Sequence, residues 1–296
     1  MNTTNKIQQY AIVDVFAERP LRGNPLAVVA DADDLDEHTM RAIAVEFNLS
    51  ETSFVLAPTE ASADFRIRSF TPTGDEVFGV GHNALGVWWW LAETGQLRER
   101  TSFVQQLGDE LLPVSIGREN GRATVSLSQA MPRHIGDVGD LQALAEALGL
   151  DKTEPALGPQ EAVVVSTGAA HMLVRLVSRD EVDRAEPNAS MLLPLLERAG
   201  AQGCYVFTTS GEQSGEAYAR FFNPTVGIRE DPATGSAAGP LGWLLANRSG
   251  AGGQETFTVV QGVGMGRESH IRILVRPDAV ELTGSAVLTA TGQLHL

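Results

Sequence analysis

The chain has 296 residues, 43% hydrophobic and 20% charged, enough apolar material for a large buried core and too much for wholesale disorder. Lys and Arg number 22 against 37 Asp and Glu, and a net charge of -15 repels phosphate backbones and anionic lipid. Nucleic acid and membrane partners are therefore set aside, whereas a small anion held by local N–H groups is not.

The polar start M-N-T-T-N-K lacks the charged-then-apolar layout of a signal peptide. No run of ~18 apolar residues is present to form a spanning helix, so the expected location is the cytoplasm. Residues 10–16 (Y-A-I-V-D-V-F) and 26–30 read as paired strands joined by a Pro- and Gly-containing turn. Met40, Ile43, Ala44 and Phe47 recur at helical spacing, which predicts an amphipathic helix over 36–47. Strands follow at 52–56 and 64–70, then a helix over 81–93, closed near Gly95, and strands at 111–116 and 123–127. Beyond a Pro-containing break at 128–133, residues 141–148 and 190–199 read as helices. Residues 161–166, 172–177 and 205–209 read as strands, and the chain closes with strands at 256–261, 270–275, 280–283 and 285–291. The lone cysteine, Cys204, lies in the apolar run C-Y-V-F, reads as a small core residue and rules out an internal disulfide framework. Strands grouped around isolated helices predict an α+β fold rather than a regular βαβ series.

An internal repeat organises these elements. R-S-F-T-P-T-G-D-E-V-F-G-V-G-H-N-A-L-G-V-W-W-W-L, from Arg68, parallels R-F-F-N-P-T-V-G-I-R-E-D-P-A-T-G-S-A-A-G-P-L-G-W-L-L, from Arg220. Phe70 matches Phe222, Pro72 matches Pro224, Gly81 matches Gly235 and Trp89 matches Trp243, with two extra residues in the second loop. The repeat implies two pseudo-twofold halves, 1–128 and 129–283, with the final strand 284–296 returning to the first.

Each copy places a Gly where a turn enters a helix. Such a start offers unpaired N–H donors and a partial positive charge, which suits an anion. If the halves face one another, a substrate carboxylate would meet both starts, together with Ser236 and His82. The stretch Gly79-Val80-Gly81-His82-Asn83-Ala84 also fits a dinucleotide fingerprint, but it follows T-P-T-G-D-E rather than a buried strand, and that reading is set aside.

Several stretches together carry a resemblance: D-V-F-A-E-R-P-L-R-G-N-P-L-A-V-V, N-L-S-E-T-S-F-V, F-T-P-T-G-D-E-V with G-H beyond it, E-D-P-A-T-G-S-A-A-G-P-L, and Q-G-V-G-M-G-R-E-S. Through them the chain resembles the phenazine-biosynthesis isomerase (PhzF-like) family, which has the diaminopimelate epimerase-like fold. The resemblance implies two domains, each a curled, mostly antiparallel sheet around a central helix, with a site in the cleft between them. It implies a proton shift without cofactor or metal, and a homodimer. The family's acid/base glutamate falls on Glu51, its histidine on His82, its aspartate on Asp231 and its serine on Ser236. Its backbone donors fall on Gly81, Thr234 and Gly235, and Ser50 is a further substrate contact by similarity. Asn83, where relatives mostly carry Pro or Ala, counts with the substrate-binding residues and marks a departure, as do Phe78-Gly79-Val80 and the triple Trp.

The chemistry stands beside that resemblance. Moving a proton between carbons needs one base held close, whose conjugate acid redelivers it. Glu51, at a helix-to-strand junction, suits that task, and Asp231 and His82 can hydrogen-bond the substrate's polar groups. The expectation is an isomerase acting on a small unsaturated amino or carboxylic acid. Competing readings are a catalytically idle carboxylate-binding protein and a racemase working without cysteine, since no cysteine lies near either helix start.

Overall fold

The computed structural model describes residues 6–150, 162–250 and 252–296. The chain divides into two compact units, one of Met1–Ser128 with Thr283–Leu296 and the other of Gln129–Leu282.

The first unit runs β1 (Ile7–Val15), β2 (Asn24–Val29), α1 (Glu37–Phe47), β3 (Glu51–Leu56), β4 (Phe65–Phe70), β5 (Glu76–Val77), α2 (His82–Glu93), β6 (Ser102–Leu107), β7 (Glu110–Glu119) and β8 (Arg122–Gln129). The second runs β9 (Arg133–Asp137), α3 (Leu141–Ala147), β10 (Ala162–Ser166), β11 (Ala170–Arg175), α4 (Arg179–Arg184), α5 (Ala189–Ala199), β12 (Gly203–Thr208), β13 (Glu216–Asn223) and β14 (Ile228–Asp231). It continues through α6 (Gly235–Ser249), β15 (Glu255–Gln261), β16 (Ser269–Arg276) and β17 (Ala279–Gly284), after which β18 (Ala286–His295) rejoins the first unit. The predicted strand beginning at 161 is present from Ala162; residue 161 lies outside the described residues.

The two units repeat one topology. In the first, hydrogen bonding orders the strands β18, β1, β2, β3, β4, β6, β7, β8, with β2/β3 and β4/β6 parallel and the rest antiparallel. In the second, β9, β10, β11, β12, β13, β15 and β16 follow, with β11/β12 and β13/β15 parallel. Each parallel pair encloses helical sequence, as a crossover requires.

Helix α2 is apolar on all sides and buried along nearly its whole length, which demands protein around it. It packs against β1, β2, β3, β7 and β18, so strands from both ends of the sheet reach it and the sheet curls around the helix. Helix α6 packs in the same way against β10, β11, β15 and β16. Trp88 and Trp89 are core rings, and the Trp88 indole N–H donates to Gln105 Oε1 at 2.8 Å. The amphipathic α1 starts as expected, with Asp36 accepting from the Thr39 N–H at 2.8 Å, and buries Met40, Ile43 and Ala44 against β3 and β4. Cys204 is buried in β12, which pushes its thiol up to about 12. None of the helices among the described residues is long and apolar enough to cross a membrane.

Candidate active site

The repeat becomes a matched frame in three dimensions. Arg68 bonds Glu76 (2.7 and 2.6 Å) and lies over the Phe70 ring, 5.1 Å from its centroid. Arg220 bonds Glu230 (both contacts 2.9 Å) and lies over Phe222 at 4.9 Å. Each bidentate pair ties the last strand before a helix to the strand beneath it, so the loop entering that helix starts from a fixed point.

Register then aligns the positions under the two loops. Thr52 faces Phe70 and Leu26 faces Glu51 in the first unit; Cys204 faces Phe222 and His171 faces Gly203 in the second. Glu51 therefore corresponds to Gly203, and Leu26 to His171. Likewise the Ser53–Ser69 pair corresponds to Tyr205–Phe221.

In the first unit α1 ends at Asn48, whose left-handed φ of 50° turns the chain through the half-buried Ser50 into β3. Glu51 opens that strand and keeps 18% of its side chain exposed, with Oε2 3.9 Å from His82 Nδ1. That separation is too long for a hydrogen bond. His82 is the first residue of α2 and is 6% exposed, and burial pushes it down to about 3. The positive end of the helix acts in the same direction, so the imidazole is neutral at pH 7. His82 Nε2 has no hydrogen-bond partner among the described residues.

Gly81 caps this helix with a φ of -154°, so no left-handed backbone calls for a glycine there. A Cβ on it would meet only Asn83 Oδ1, at 3.7 Å. Two expected substrate contacts are engaged inside the loop. Asn83, 1% exposed, accepts from the Gly81 N–H at 3.0 Å and donates to Gly79 O at 3.1 Å and Ser69 Oγ at 3.3 Å. It therefore staples the loop that presents His82, and the Gly81 donor is spent on that staple. Ser69 in turn lies 2.8 Å from Ser53 Oγ.

In the second unit Asp231 ends β14 and is 6% exposed. Its Oδ2 accepts from the Thr234 hydroxyl. The Thr234 N–H donates to Gln261 Oε1 at 3.2 Å, so this expected anion donor is also committed within the protein. Gln261 holds the whole turn: its amide donates to Asp231 O (2.7 Å) and Thr234 Oγ1 (3.1 Å), and its Oε1 accepts from the Tyr205 hydroxyl at 2.8 Å. Ser269 Oγ donates to Pro232 O at 2.9 Å. Gly262 has a φ of +77°, and a Cβ on it would lie 2.6 Å from Pro232 O, so only glycine fits. The stretch Q-G-V-G-M-G-R-E-S thus has a physical role, as the underside of the Asp231 turn.

Gly235 is the first residue of α6 and Ser236 the second. Ser236 Oγ is 3.1 Å from Nε2 of His171, a buried residue that sequence reasoning missed. The predicted strand began one residue later, and nothing in the apolar pattern marks His171 as different from its neighbours. Burial pushes it down to about 4, so this imidazole too is neutral. Among the described residues no group of three or more His, Cys, Asp or Glu is arranged to hold a metal ion.

The structure therefore groups Glu51 with His82 in the first unit, and Asp231, Thr234, Gly235 and Ser236 in the second. Comparison with known proteins gives these groups a context. Residues 13–292 match the phenazine biosynthesis-like protein family (PhzC-PhzF). The chain is 34% identical to a trans-2,3-dihydro-3-hydroxyanthranilate isomerase of Pseudomonas aeruginosa, covering 98% of this chain and 100% of that one. It is 31% identical to an uncharacterized isomerase of Clostridium acetobutylicum, covering 96% and 97%. The crystal structure of a PhzF-family phenazine biosynthesis protein of Bacillus anthracis superposes with a TM-score of 0.89 at 28% identity, covering 98% and 100%. With the α+β architecture, these matches show that the chain belongs to the phenazine biosynthesis-like (PhzF) family and is an isomerase.

Proposed function

We propose that the protein shifts a proton, and with it a double bond, within a small unsaturated amino or carboxylic acid, without a cofactor, and that residues of both units serve one substrate. The observation that carries this reading is Glu51 beside the buried, neutral His82 at the start of α2. A carboxylate there can take a proton from carbon, and the electron pair of that C–H bond then moves into the allylic system. The resulting carboxylic acid exchanges its proton with solvent and delivers one to the far end of that system, so composition is unchanged and only the double bond has moved. His82, being neutral, offers one donor and one acceptor to the substrate's polar groups without competing with Glu51 as a charged acid.

In this reading the substrate's carboxylate rests on the start of α6, where the helix end and Ser236 favour an anion, and Asp231 bonds an amine or hydroxyl. Cysteine-based epimerisation does not fit, because Cys204 is buried and its thiol is pushed up to about 12. The reading also carries a homodimer, which sedimentation would remove by showing only a monomer.

The first probe is trans-2,3-dihydro-3-hydroxyanthranilate, taken from the name of the Pseudomonas aeruginosa relative; cyclic unsaturated amino acids follow. In D2O the wild-type enzyme should place solvent deuterium at the new C–H. Glu51→Gln should lower that incorporation by about 10³-fold while melting as wild type does. Undiminished incorporation in the variant would remove Glu51 as the shuttle. Binding without any exchange in the wild type would favour a non-catalytic carboxylate binder, and inversion at an α-carbon would favour a racemase.

A further inference from the structure

His171 lies outside the expected set of catalytic groups, yet the geometry of its pairing with Ser236 is specific. His171 stands on β11 with Nε2 3.1 Å from Ser236 Oγ, and its ring meets the Phe221 ring edge-on, 5.0 Å between centroids at 88°. Gly203, directly across from His171, makes room for that backing ring: a Cβ there would lie 2.4 Å from Phe221 Cζ. The imidazole is therefore packed in place rather than free to rotate.

The other ring nitrogen, Nδ1, is buried and has no hydrogen-bond partner among the described residues. A neutral imidazole carries one N–H and one lone pair, and burying an unpaired N–H is the costlier choice. The proton therefore belongs on Nε2, where it is donated to Ser236 Oγ. Burial opposes a second proton, which keeps the ring neutral. With its oxygen already accepting from His171, the half-buried Ser236 directs its own O–H elsewhere, at the positive end of α6.

We propose that His171 is a positioning residue that fixes Ser236 as a hydrogen-bond donor to the substrate's anionic group. The identity of the receiving group rests on the proposed function; the orientation of the serine does not. His171 acts through Ser236 and touches no reacting atom.

Two measurements test this. Long-range nitrogen–proton NMR of the histidine rings at pH 7, with His171 assigned by its loss in His171→Gln, should show Nε2 protonated and Nδ1 bare. Ser236→Ala should shift the His171 Nε2–H signal. A proton on Nδ1, a cationic ring or indifference to Ser236→Ala would overturn the proposal, whatever the substrate proves to be. With the same probe substrate, His171→Leu should raise KM by about 10- to 100-fold with kcat little changed, the pattern of a lost contact to a charged group. His171→Gln, whose amide can donate in place of Nε2–H, should recover most of that loss, and His171→Leu with Ser236→Ala should cost no more than Ser236→Ala alone. A fall in kcat without a change in KM, no recovery with Gln, or additive losses would count against it. If the wild-type protein turns over neither that probe nor the cyclic unsaturated amino acids, the proposed function fails and the NMR result still decides the role of His171.

Discussion

Beneath the start of α2 lie two serines, Ser53 and Ser69, with their Oγ atoms 2.8 Å apart. Beneath the start of α6 the equivalent positions hold Tyr205 and Phe221, rings 5.9 Å apart. The small pair lets Asn83 reach down and fasten its own loop. The large pair fills that space, and the second loop is fastened from the side by Gln261, which the Tyr205 hydroxyl meets. One strand further in, the first unit has apolar Leu26 opposite Glu51, whereas the second has His171 opposite Gly203. The polar member of the cross-strand pair has changed strand. The duplicated frame of Arg–Glu pairs and curled sheet is kept, and the side chains at its tip have diverged, towards a carboxylate in one copy and a serine in the other.

Acid is the strongest general challenge to this arrangement, because each copy buries one neutral imidazole. His82 and His171 hold folded values of about 3 and about 4, below the ordinary 6.5, since burial disfavours the cation. Between those values and 6.5 the unfolded chain binds more protons than the folded one. The stability present above pH 6.5 is therefore lost as pH falls, by about 2–3 kcal/mol for each histidine at pH 4.5. Asp64, whose desolvation is outweighed by hydrogen bonds from Arg100 and the Val104 N–H, is held below its ordinary value and acts at lower pH. Denaturant melts of the wild type, His82→Asn and His171→Gln from pH 7.5 to 4.5 should show each variant removing about half of the slope. A slope that vanishes with either substitution alone would break the symmetry between the copies.

The two ways of fastening a loop separate next. Asn83→Ala deletes three buried hydrogen bonds and strands Gly79 O and the Gly81 N–H, so it should cost about 2–3 kcal/mol. Gln261→Leu should cost about as much, because that amide does the same work for the other copy. Ser236→Ala, at the position matched to His82, fastens no loop and strands only the His171 Nε2–H, so it should cost about 1–2 kcal/mol, less than either. A large effect from Ser236 with a small one from Gln261 would mean that the second loop is held by its own residues after all.

A smaller effect sharpens the change of strand. Gly203→Ala should destabilise by about 2 kcal/mol, because the new Cβ would lie 2.4 Å from the Phe221 ring. Adding Phe221→Leu should recover part of that loss. A neutral Gly203→Ala would show that the ring yields easily and that no packing rule keeps a carboxylate out of the second copy.

How far the sequence disclosed this divergence depends on what each residue type reveals. The repeat from Arg68 and Arg220 was visible because its Phe, Pro, Gly and Trp residues survive in order, and the elements it marks are present. Helix α1 was legible from Met40, Ile43, Ala44 and Phe47 at helical spacing, and its Asp36 cap is seen only in the structure. Strand β6 escaped because Gln105 and Gln106 break its apolar pattern; both are buried, bonded to the Trp88 indole and to the chain around Thr59. The short α4, R-D-E-V-D-R, looks like a charged loop, and its buried Glu181 makes sense only once it accepts from the Val177 N–H at 3.0 Å. At the site, Glu51, His82, Asp231 and Ser236 came through family resemblance, which carries residue identities and not what each side chain touches. Asn83 is a departure from the family, so no family role came with it, and nothing in the sequence shows that its hydrogen bonds turn back into the loop. His171 and Gln261 act across sequence separations of 65 and 27 residues, distances that local pattern does not span.

The smallest effect tests the least obvious part of the comparison, that an aromatic pair has taken over from a serine pair. Tyr205→Phe keeps the ring against Phe221 and removes only the O–H that meets Gln261 Oε1. That oxygen still accepts from the Thr234 N–H, so no buried acceptor is left bare and the cost should be about 1 kcal/mol. The buried tyrosine is held far above its ordinary ionisation, by desolvation first and by the neighbouring Asp231 charge second, so the effect should not change between pH 7 and pH 9. If the hydroxyl is a strut for Gln261, Tyr205→Phe and Gln261→Leu should be coupled, with the double variant costing less than the two single changes together. Simple additivity would mean that Tyr205 fills the space left by the serine pair and plays no part in holding the Asp231 turn.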